Sequence, residues 1–216
     1  MSSNTAPTQS TSERPGPIVV GVTGASGVVY AQRLVQFLLH AGEEVFLTIS
    51  SAGRLVLGQE LPTERGTDPW GETHRDRLTI FPERDFFAPF CSGTFRFRSM
   101  VIVPASMGTV GAVANGICLN NIHRGADVAL KERRRLVIVP RETPFTQIHL
   151  ENLLSLARAG ATVLPPSPAF YQQPASLDDV VDFVVSRILD ALDIDNSLFP
   201  RWREDDLQGD QPAETP

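Results

Sequence analysis

Apolar runs without a polar break recur along this sequence, and each is followed by a stretch with helical periodicity. Runs that do not alternate apolar with polar residues are typical of strands buried on both faces of a parallel sheet. The repeated change from strand to helix predicts a single α/β domain, Rossmann-like (flavodoxin-like) and doubly wound, with a mainly parallel sheet. In such folds the ligands bind at the carboxyl ends of the strands.

Five strands and a shorter sixth are predicted from these runs. The strands are expected at Ile18–Val22, Val45–Ile49, Met100–Val103, Leu136–Val139 and Thr162–Leu164, with the shorter one near Leu78–Phe81. Helices are expected at about Val28–His40, Ala52–Gln59, from Thr109 onward, within Asn115–Leu130, at Gln147–Ala159 and at Asp178–Leu192. The third strand is expected to break at Pro104, and Ser176 is expected to cap the last helix.

The two ends of the chain differ in composition from its middle. Residues 1–16 are rich in Ser, Thr and Pro, and residues 204–216 are acidic with two prolines, so both are predicted to be disordered tails. Residues 17–203 are predicted to form the one folded domain. Inside it, residues 61–98 carry prolines at 62, 69, 82 and 89 without a clean period. An irregular segment of this length is expected to line a site or an interface.

Composition and charge argue against several classes of function. A net charge of −6 and a pI near 5.2 disfavour a nucleic-acid partner, whose footprint is basic. No apolar run is long enough for a membrane span, and the polar N-terminus has no secretory h-region. Cys91 and Cys118 match no metal spacing and are expected to be free thiols in a reducing compartment, which predicts a cytoplasmic location. The histidines are scattered without an HExxH pattern, so no metal site is predicted.

A glycine-rich turn, Gly21–Gly27, joins the first predicted strand to the first helix. Its spacing, G-x-x-G-x-x-G, is close to the dinucleotide-binding pattern. A helix N-terminus also offers unpaired N–H groups and a partial positive charge to an anion. The turn therefore predicts a phosphate site, in which Ser26 either binds the ligand or caps the helix. A tight turn without a ligand is the alternative.

Small polar residues follow the other predicted strands as well. The set is Gly24, Ser26 and Gly27 after the first strand, Ser50 after the second, Ser106 and Thr109 after the third, Arg141 and Glu142 after the fourth, and Tyr171 beyond the fifth. Such a set suits a phosphate-bearing ligand held by N–H and O–H donors, with an acid beside it for proton transfer. For any one serine, a role as helix cap is the alternative.

Basic residues cluster only in the run Asp127–Arg135 and just before it. Arg124 and Lys131 are seven residues apart and are expected to share one helix face, although a solvated helix end is the simpler interpretation. Two other enzyme classes lack their signatures here. Neither Tyr30 nor Tyr171 begins the Tyr-x-x-x-Lys pair of a short-chain dehydrogenase, and there is no GxxxxGK[ST] motif of a P-loop enzyme.

Five motifs, in order, resemble those of the UbiX-type flavin prenyltransferases and cover about residues 17–202. They are Gly21–Tyr30, Val101–Thr109, Ala126–Arg134, Val139–Pro144 and Pro165–Tyr171, followed by Ser176–Asp179 and Arg187. The resemblance implies an enzyme that transfers a dimethylallyl group from dimethylallyl phosphate to N5 of reduced FMN, without a metal, and then closes a ring at C6. It also implies that the product, prenylated FMN, serves a UbiD-type decarboxylase, and that the chain forms a homo-oligomer, by family resemblance a dodecamer with its sites at subunit contacts.

The resemblance further implies a role for each matching residue. The implied catalytic residues are Glu142 as acid or base, Ser26 near N5, Glu60 as a second carboxylate, and Lys131. The residues implied to hold FMN are Gly24, Ala25, Ser26, Ser50, Ser106, Met107, Gly108, Thr109 and Arg141. The residues implied to hold the phosphate of the prenyl donor are Tyr171, Arg187, Lys131 and Arg124.

Two alternative functions remain beside the transferase. The first is an FMN-dependent cysteine-type decarboxylase, but its catalytic His after the first turn and its Pro-x-Met-Asn segment are not found. The second is a non-catalytic FMN carrier, which would have no use for a second phosphate site.

Overall fold

The computed structural model describes residues 16–61, 68–71, 74–171 and 173–199. The predicted disordered tails, apart from Gly16, lie outside the described residues, as do residues 200–203 of the predicted domain.

The described residues form one six-stranded sheet in which every strand pair is parallel. The strands are β1 Ile18–Val22, β2 Val45–Ile49, β3 Leu78–Pro82, β4 Ser99–Ala105, β5 Arg135–Pro140 and β6 Thr162–Val163. Their spatial order is β3-β2-β1-β4-β5-β6. The prediction of a doubly wound α/β domain with a parallel sheet is therefore confirmed, and the order is that of a Rossmann fold.

Six α-helices connect or follow these strands within the described ranges. They are α1 Val28–His40, α2 Ser51–Glu60, α3 Met107–Ala114, α4 Asn121–Lys131, α5 Gln147–Arg158 and α6 Leu177–Leu192. Short 3₁₀ turns lie at Arg75–Arg77 and Pro89–Cys91. Ser176 caps α6 as predicted, through a capping box with Asp179.

Capping and strand pairing set two boundaries that the sequence left open or placed wrongly. Helix α4, expected within residues 115–130, begins at Asn121, because the Asn120 side chain accepts the N–H of His123 and starts the helix there. Strand β4 does not break at Pro104 but continues to Ala105, with a register shift against β5 between Ile102 and Ala105. A proline lacks an N–H donor, and the irregular pairing accommodates it.

Helices cover both faces of the sheet and make two core layers. Val101 and Val103 of β4 pack in one layer with α1 and α6, whereas Met100 and Ile102 pack in the other with residues of α3, α4 and α5. All four side chains are completely buried. Burial of each such side chain stabilises the fold by about 1.5–3 kcal/mol. Because β4 is buried on both faces, its residues form an unbroken apolar run in the sequence.

The strand order reverses between β1 and β4, and in folds of this kind the ligand site lies at that reversal. Chain connections leave β1 and β4 in opposite directions, so a crevice opens above their carboxyl ends. No helix among the described residues is long and apolar enough to cross a membrane.

Candidate active site at the carboxyl edge of the sheet

Thr23 joins the two loops that border the crevice. Its hydroxyl donates to the carbonyl oxygen of Pro104 at 2.8 Å, and the backbone N–H of Ser106 donates to that hydroxyl at 2.7 Å. Thr23 is 1% exposed, so water does not compete for these bonds. The sequence analysis missed this residue, although it occupies the first position after β1, inside the glycine turn. Thr23 fixes the spacing between the β1–α1 turn and the start of α3.

The N-terminus of α1 holds a carboxylate of the chain itself. The side chain of Glu60, the last residue of α2, accepts the N–H of Gly27 at 2.9 Å and the N–H of Val28 at 2.9 Å. An anion does lie at the glycine turn, but it is this carboxylate. A phosphate bound at the same N–H groups would have to displace Glu60.

The pKa of Glu60 lies below its ordinary value because of this environment. Burial alone would raise the pKa, but hydrogen bonds from Ser26 and from the N–H groups of Val28 and Gly27, together with the charge of Arg141, outweigh it. The helix dipole of α1 acts in the same direction. Glu60 is therefore ionised at neutral pH and sits beside the predicted catalytic Ser26.

Ser26 does not cap α1, which corrects one of its two predicted roles. The N-cap residue is Gly27, with φ 101°, which has no side chain, and the Glu60 carboxylate accepts the N–H groups there instead. The Ser26 side chain is exposed at the crevice, and its carbonyl oxygen accepts a hydrogen bond from Nε of Arg141 at 3.2 Å. The loops after β1 and β5 are thereby brought together, as the sequence predicted.

Gly24 is required by helix packing. A Cβ at this position would lie 2.4 Å from the Cβ of Ala52, at the start of α2. The absence of a side chain lets α2 approach the β1–α1 turn, so Gly24 shapes the crevice whether or not it contacts a ligand.

The serines after β2 and β4 both serve as helix caps. Ser50 Oγ accepts the N–H of Gly53 at 3.0 Å, and Ser106 Oγ accepts the N–H of Thr109 at 3.3 Å. Ser106 also donates to the hydroxyl of Thr109 at 3.1 Å. The cap interpretation is therefore confirmed for both serines. Their predicted contacts with a ligand remain predictions.

A second carboxylate, missed by the sequence analysis, holds the start of α2. Glu83 accepts the backbone N–H of Ser51 at 2.7 Å and also binds the Ser51 hydroxyl. Both α1 and α2 carry a carboxylate at their N-termini. The first N–H groups of α3, at Met107 and Gly108, meet no carboxylate among the described residues.

The predicted acid Glu142 follows Arg141 directly at the end of β5. Its side chain is exposed, and its Oε1 accepts the N–H of Thr143 at 3.0 Å. The exposure means that one chain alone does not enclose this carboxylate.

The four residues predicted to hold the donor phosphate are not brought together in one chain. Arg124 and Lys131 lie on α4, against one face of the sheet, whereas Arg187 lies on α6, against the other face. Arg124 pairs with Asp127 at 2.7 Å. Tyr171 is exposed in the loop that precedes α6. A site that used all four would therefore draw on more than one chain.

Arg124 and Lys131 do share a helix face, as their spacing predicted. Nε of Arg124 donates to the carbonyl oxygen of Cys91 at 3.0 Å, and the ammonium of Lys131 lies beside Gly93 of the same loop. Lys131 also pairs with Glu132 at 3.0 Å. Segment 89–95, part of the long irregular stretch, thus borders these two cations.

The residues at the carboxyl edge fit a flavin mononucleotide in type. Free N–H groups start α3, hydroxyls are present at Ser26 and Thr109, and Arg141 supplies a cation suited to a phosphate. A Cβ at Gly108 would meet nothing within 4 Å, so space is open above the first turn of α3. Among the described residues, no group of three or more His, Cys, Asp or Glu side chains could hold a metal ion.

Sequence comparison places this geometry in a family. The profile of the Flavoprotein family matches residues 6–189. The flavin prenyltransferase UbiX of Methanocaldococcus jannaschii is 48% identical over 86% of this chain and 97% of its own length. The flavin prenyltransferase UbiX of Pseudomonas aeruginosa is 45% identical over 91% of this chain and 99% of its own length.

Solved structures agree with the sequence relatives. The crystal structure of AnUbiX (PadA1) in complex with FMN and dimethylallyl pyrophosphate has a TM-score of 0.80 at 39% identity, over 88% of this chain and 98% of that one. A dodecameric FMN-dependent UbiX-like decarboxylase from Escherichia coli O157:H7 has a TM-score of 0.79 at 36% identity, over 86% and 98%. The peptidyl-cysteine decarboxylase EpiD, at 16% identity and a TM-score of 0.54, shares the fold alone. The chain belongs to the UbiX flavin prenyltransferases, within the Flavoprotein family.

Proposed function

We propose that this chain is a metal-independent prenyltransferase that moves a dimethylallyl group from dimethylallyl phosphate to reduced FMN. The product would be prenylated FMN for a UbiD-type decarboxylase. Family membership supports the proposal, and one structural observation carries it for this chain. In the crevice at the strand-order reversal, Ser26 hydrogen-bonds both Glu60 and Arg141, the positive charge of Arg141 acts on Glu60, and Glu142 is next in the chain.

Reduced FMN, when bound, supplies the N5 nucleophile. The residues proposed to hold it surround the crevice on the β1, β2, β4 and β5 loops. They are Gly24, Ala25, Ser26, Ser50, Ser106, Met107, Gly108, Thr109 and Arg141. Arg141 is the cation of this set, and its planar guanidinium matches the geometry of a phosphate.

The departing phosphate is proposed to be held by Arg124, Lys131, Tyr171 and Arg187. Cleavage of an allylic C–O bond leaves negative charge on the phosphate and positive charge on the allyl group, so fixed cations at the phosphate stabilise the transition state. Because these residues lie on opposite faces of the sheet, we propose that neighbouring chains of a homo-oligomer complete each site.

Exposed apolar side chains support an oligomer. Phe87 is 99% exposed and Leu119 is 72% exposed, and on α5 Ile148 is 68% exposed. Surfaces of this kind mark protein interfaces. The related Escherichia coli protein is described as dodecameric, and we propose the same assembly here. Light scattering after size exclusion should report about twelve times the 23.6 kDa chain mass, whereas a monomer would contradict the proposal.

Glu142 is proposed to deliver or accept the proton in the reaction. A phosphate monoester leaves poorly unless its charge is neutralised, and a carboxylic acid beside it can supply a proton. Water must be excluded as well, since it would trap an allyl cation. The exposure of Glu142 in one chain means that this shielding has to come from the neighbouring chain or from the ligands.

An anaerobic transfer reaction tests the proposal. Purified protein is mixed with FMN, dithionite and dimethylallyl phosphate, and the released flavin is analysed by mass spectrometry. We expect a flavin heavier by one dimethylallyl unit, lost in Glu142→Gln but retained in Glu151→Gln, a matched change of an exposed glutamate on α5. The diphosphate donor is assayed in parallel to determine which donor is used.

The result that would refute the transferase is FMN bound tightly but recovered unmodified with both donors. The carrier hypothesis would then account for the protein. Carbon dioxide released from a peptide with a C-terminal cysteine would instead favour the decarboxylase.

A further inference from the structure

A cleft of about 840 Å³ opens at the amino edge of the sheet, opposite the edge that carries the crevice. It lies beneath the first residues of β4 and β5 and beside the end of α6. Four arginines line it, Arg98, Arg133, Arg134 and Arg135, with Asp193 as the acidic residue of the lining. This concentration of positive charge stands out in a chain whose net charge is −6.

Two of the four arginines are used to hold the fold. Arg98 pairs with Glu43 at 2.9 Å and donates to the carbonyl oxygen of Asp193 at 2.7 Å. Arg134 donates to the carbonyl oxygens of Phe95 and Gly93, both at 2.7 Å. These guanidinium groups are fixed in position and still contribute positive potential to the cleft.

The other two arginines are available to a ligand. The Arg133 side chain makes no hydrogen bond or ion pair with any residue in the described part of the chain. Among the described residues, Arg135 makes one ion pair, with Asp193 at 3.7 Å, and the Asp193 side chain is 81% exposed. An exposed pair at this distance is weak, so an anion of higher charge would compete with it for Arg135.

A buried hydroxyl without a partner lies next to Arg135. Ser99, the first residue of β4, is 1% exposed, and its Oγ has no hydrogen-bond partner among the described residues. Ser99 is paired with Arg135 in the parallel register and also lines the cleft. Buried hydroxyls are nearly always hydrogen-bonded, so this one indicates an acceptor that the isolated chain does not supply.

We propose that this cleft binds a small phosphate-bearing molecule, at a site separate from the prenyl-transfer crevice. The guanidinium of Arg133, which has no partner among the described residues, and the weakly paired guanidinium of Arg135 suit phosphate oxygens, and the Ser99 hydroxyl can donate to one of these oxygens. The volume lies in the range of small-molecule sites, and the half-buried Leu130 gives part of the lining an apolar surface for an organic group.

Inorganic pyrophosphate is the probe that tests this site, titrated calorimetrically into the FMN-loaded oligomer. The variant is Arg133→Gln with Arg135→Gln, and the matched control is Arg54→Gln with Arg84→Gln, which removes two exposed charges that do not line the cleft. We expect the cleft variant to weaken pyrophosphate binding by about tenfold or more, since charge-assisted hydrogen bonds are lost. The control should change it less than about twofold. Ser99→Ala should weaken it by a few fold.

Three further readouts decide where pyrophosphate binds. FMN content and the flavin-transfer rate should be unchanged in the cleft variant, and Arg124→Gln should retain cleft binding. If Arg124→Gln lost all pyrophosphate binding and the cleft variant lost none of it, pyrophosphate would be assigned to the transfer site and the proposal would be overturned. Equal losses in the cleft variant and the charge control would do the same. Binding seen only after removal of residues 204–216 would assign the cleft to carboxylates of that acidic segment and would also overturn it.

Discussion

Glu60→Gln tests whether an internal carboxylate stabilises the start of α1. In the wild type the Glu60 carboxylate accepts N–H groups of Gly27 and Val28, each at 2.9 Å, at the positive end of the helix dipole. Glutamine keeps the shape but loses the charge, and its NH₂ group cannot accept these bonds. Because the site is only partly buried, we expect a loss of about 1–2 kcal/mol in the free energy of unfolding at neutral pH.

The pH dependence separates this explanation from a simple packing effect. The pKa of Glu60 is lowered in the folded protein from its ordinary value of 4.5, so the stabilisation by this carboxylate is fully present above pH 4.5. It is lost as the pH falls through the lower, folded-state pKa, where wild type and Glu60→Gln should converge. Urea unfolding at fixed protein concentration, from pH 7 downward, measures the difference. A difference that stays constant with pH would refute the electrostatic argument.

Three further predictions concern single residues. Thr23→Val should lower the free energy of unfolding by about 2 kcal/mol, because the part-buried N–H of Ser106 loses its acceptor. Thr23→Ser should retain most of the stability; equal losses for the two variants in urea unfolding would show that the methyl group matters as much as the hydroxyl and would contradict the prediction. Cys91 is 8% exposed, and burial raises the pKa of its thiol to about 11. At pH 8 a thiol reagent should therefore modify Cys118 first and Cys91 only when the protein unfolds. Reaction of both thiols at the same rate in the folded protein would contradict this prediction. Arg133 follows the C-cap of α4 with φ 54°, a conformation that favours glycine, so Arg133→Gly should raise the free energy of unfolding by about 0.5 kcal/mol. A lower melting temperature would count against backbone strain at this position.

The sheet was predictable because its strands are buried on both faces and leave unbroken apolar runs. Strands β1 and β2 lie at their predicted bounds for this reason. The start of α4 was not predictable from periodicity, because the Asn120 cap, and not the apolar pattern before it, decides where that helix begins. Periodicity records which face a residue occupies, whereas caps depend on a single side chain.

The candidate site was predictable in its location but not in its internal contacts. Parallel strands deliver their following residues to one edge, so Ser26 and Arg141 meet as expected. Contacts across long sequence separations, such as Glu60 with Gly27, leave no local pattern. The separation of Arg124 and Arg187 by the sheet was equally hidden, since motif order says nothing about which face a helix covers.

The opposite placement of α4 and α6 has a genetic consequence. If each transfer site takes Lys131 from one chain and Arg187 from another, a chain defective in one residue can still serve a neighbour with the other. Mixed oligomers of Lys131→Ala and Arg187→Ala chains, each inactive alone, would then regain roughly a quarter of their sites by random assembly. Mutations at these positions would complement one another, and their dominance would be a property of the assembly and not of the single polypeptide.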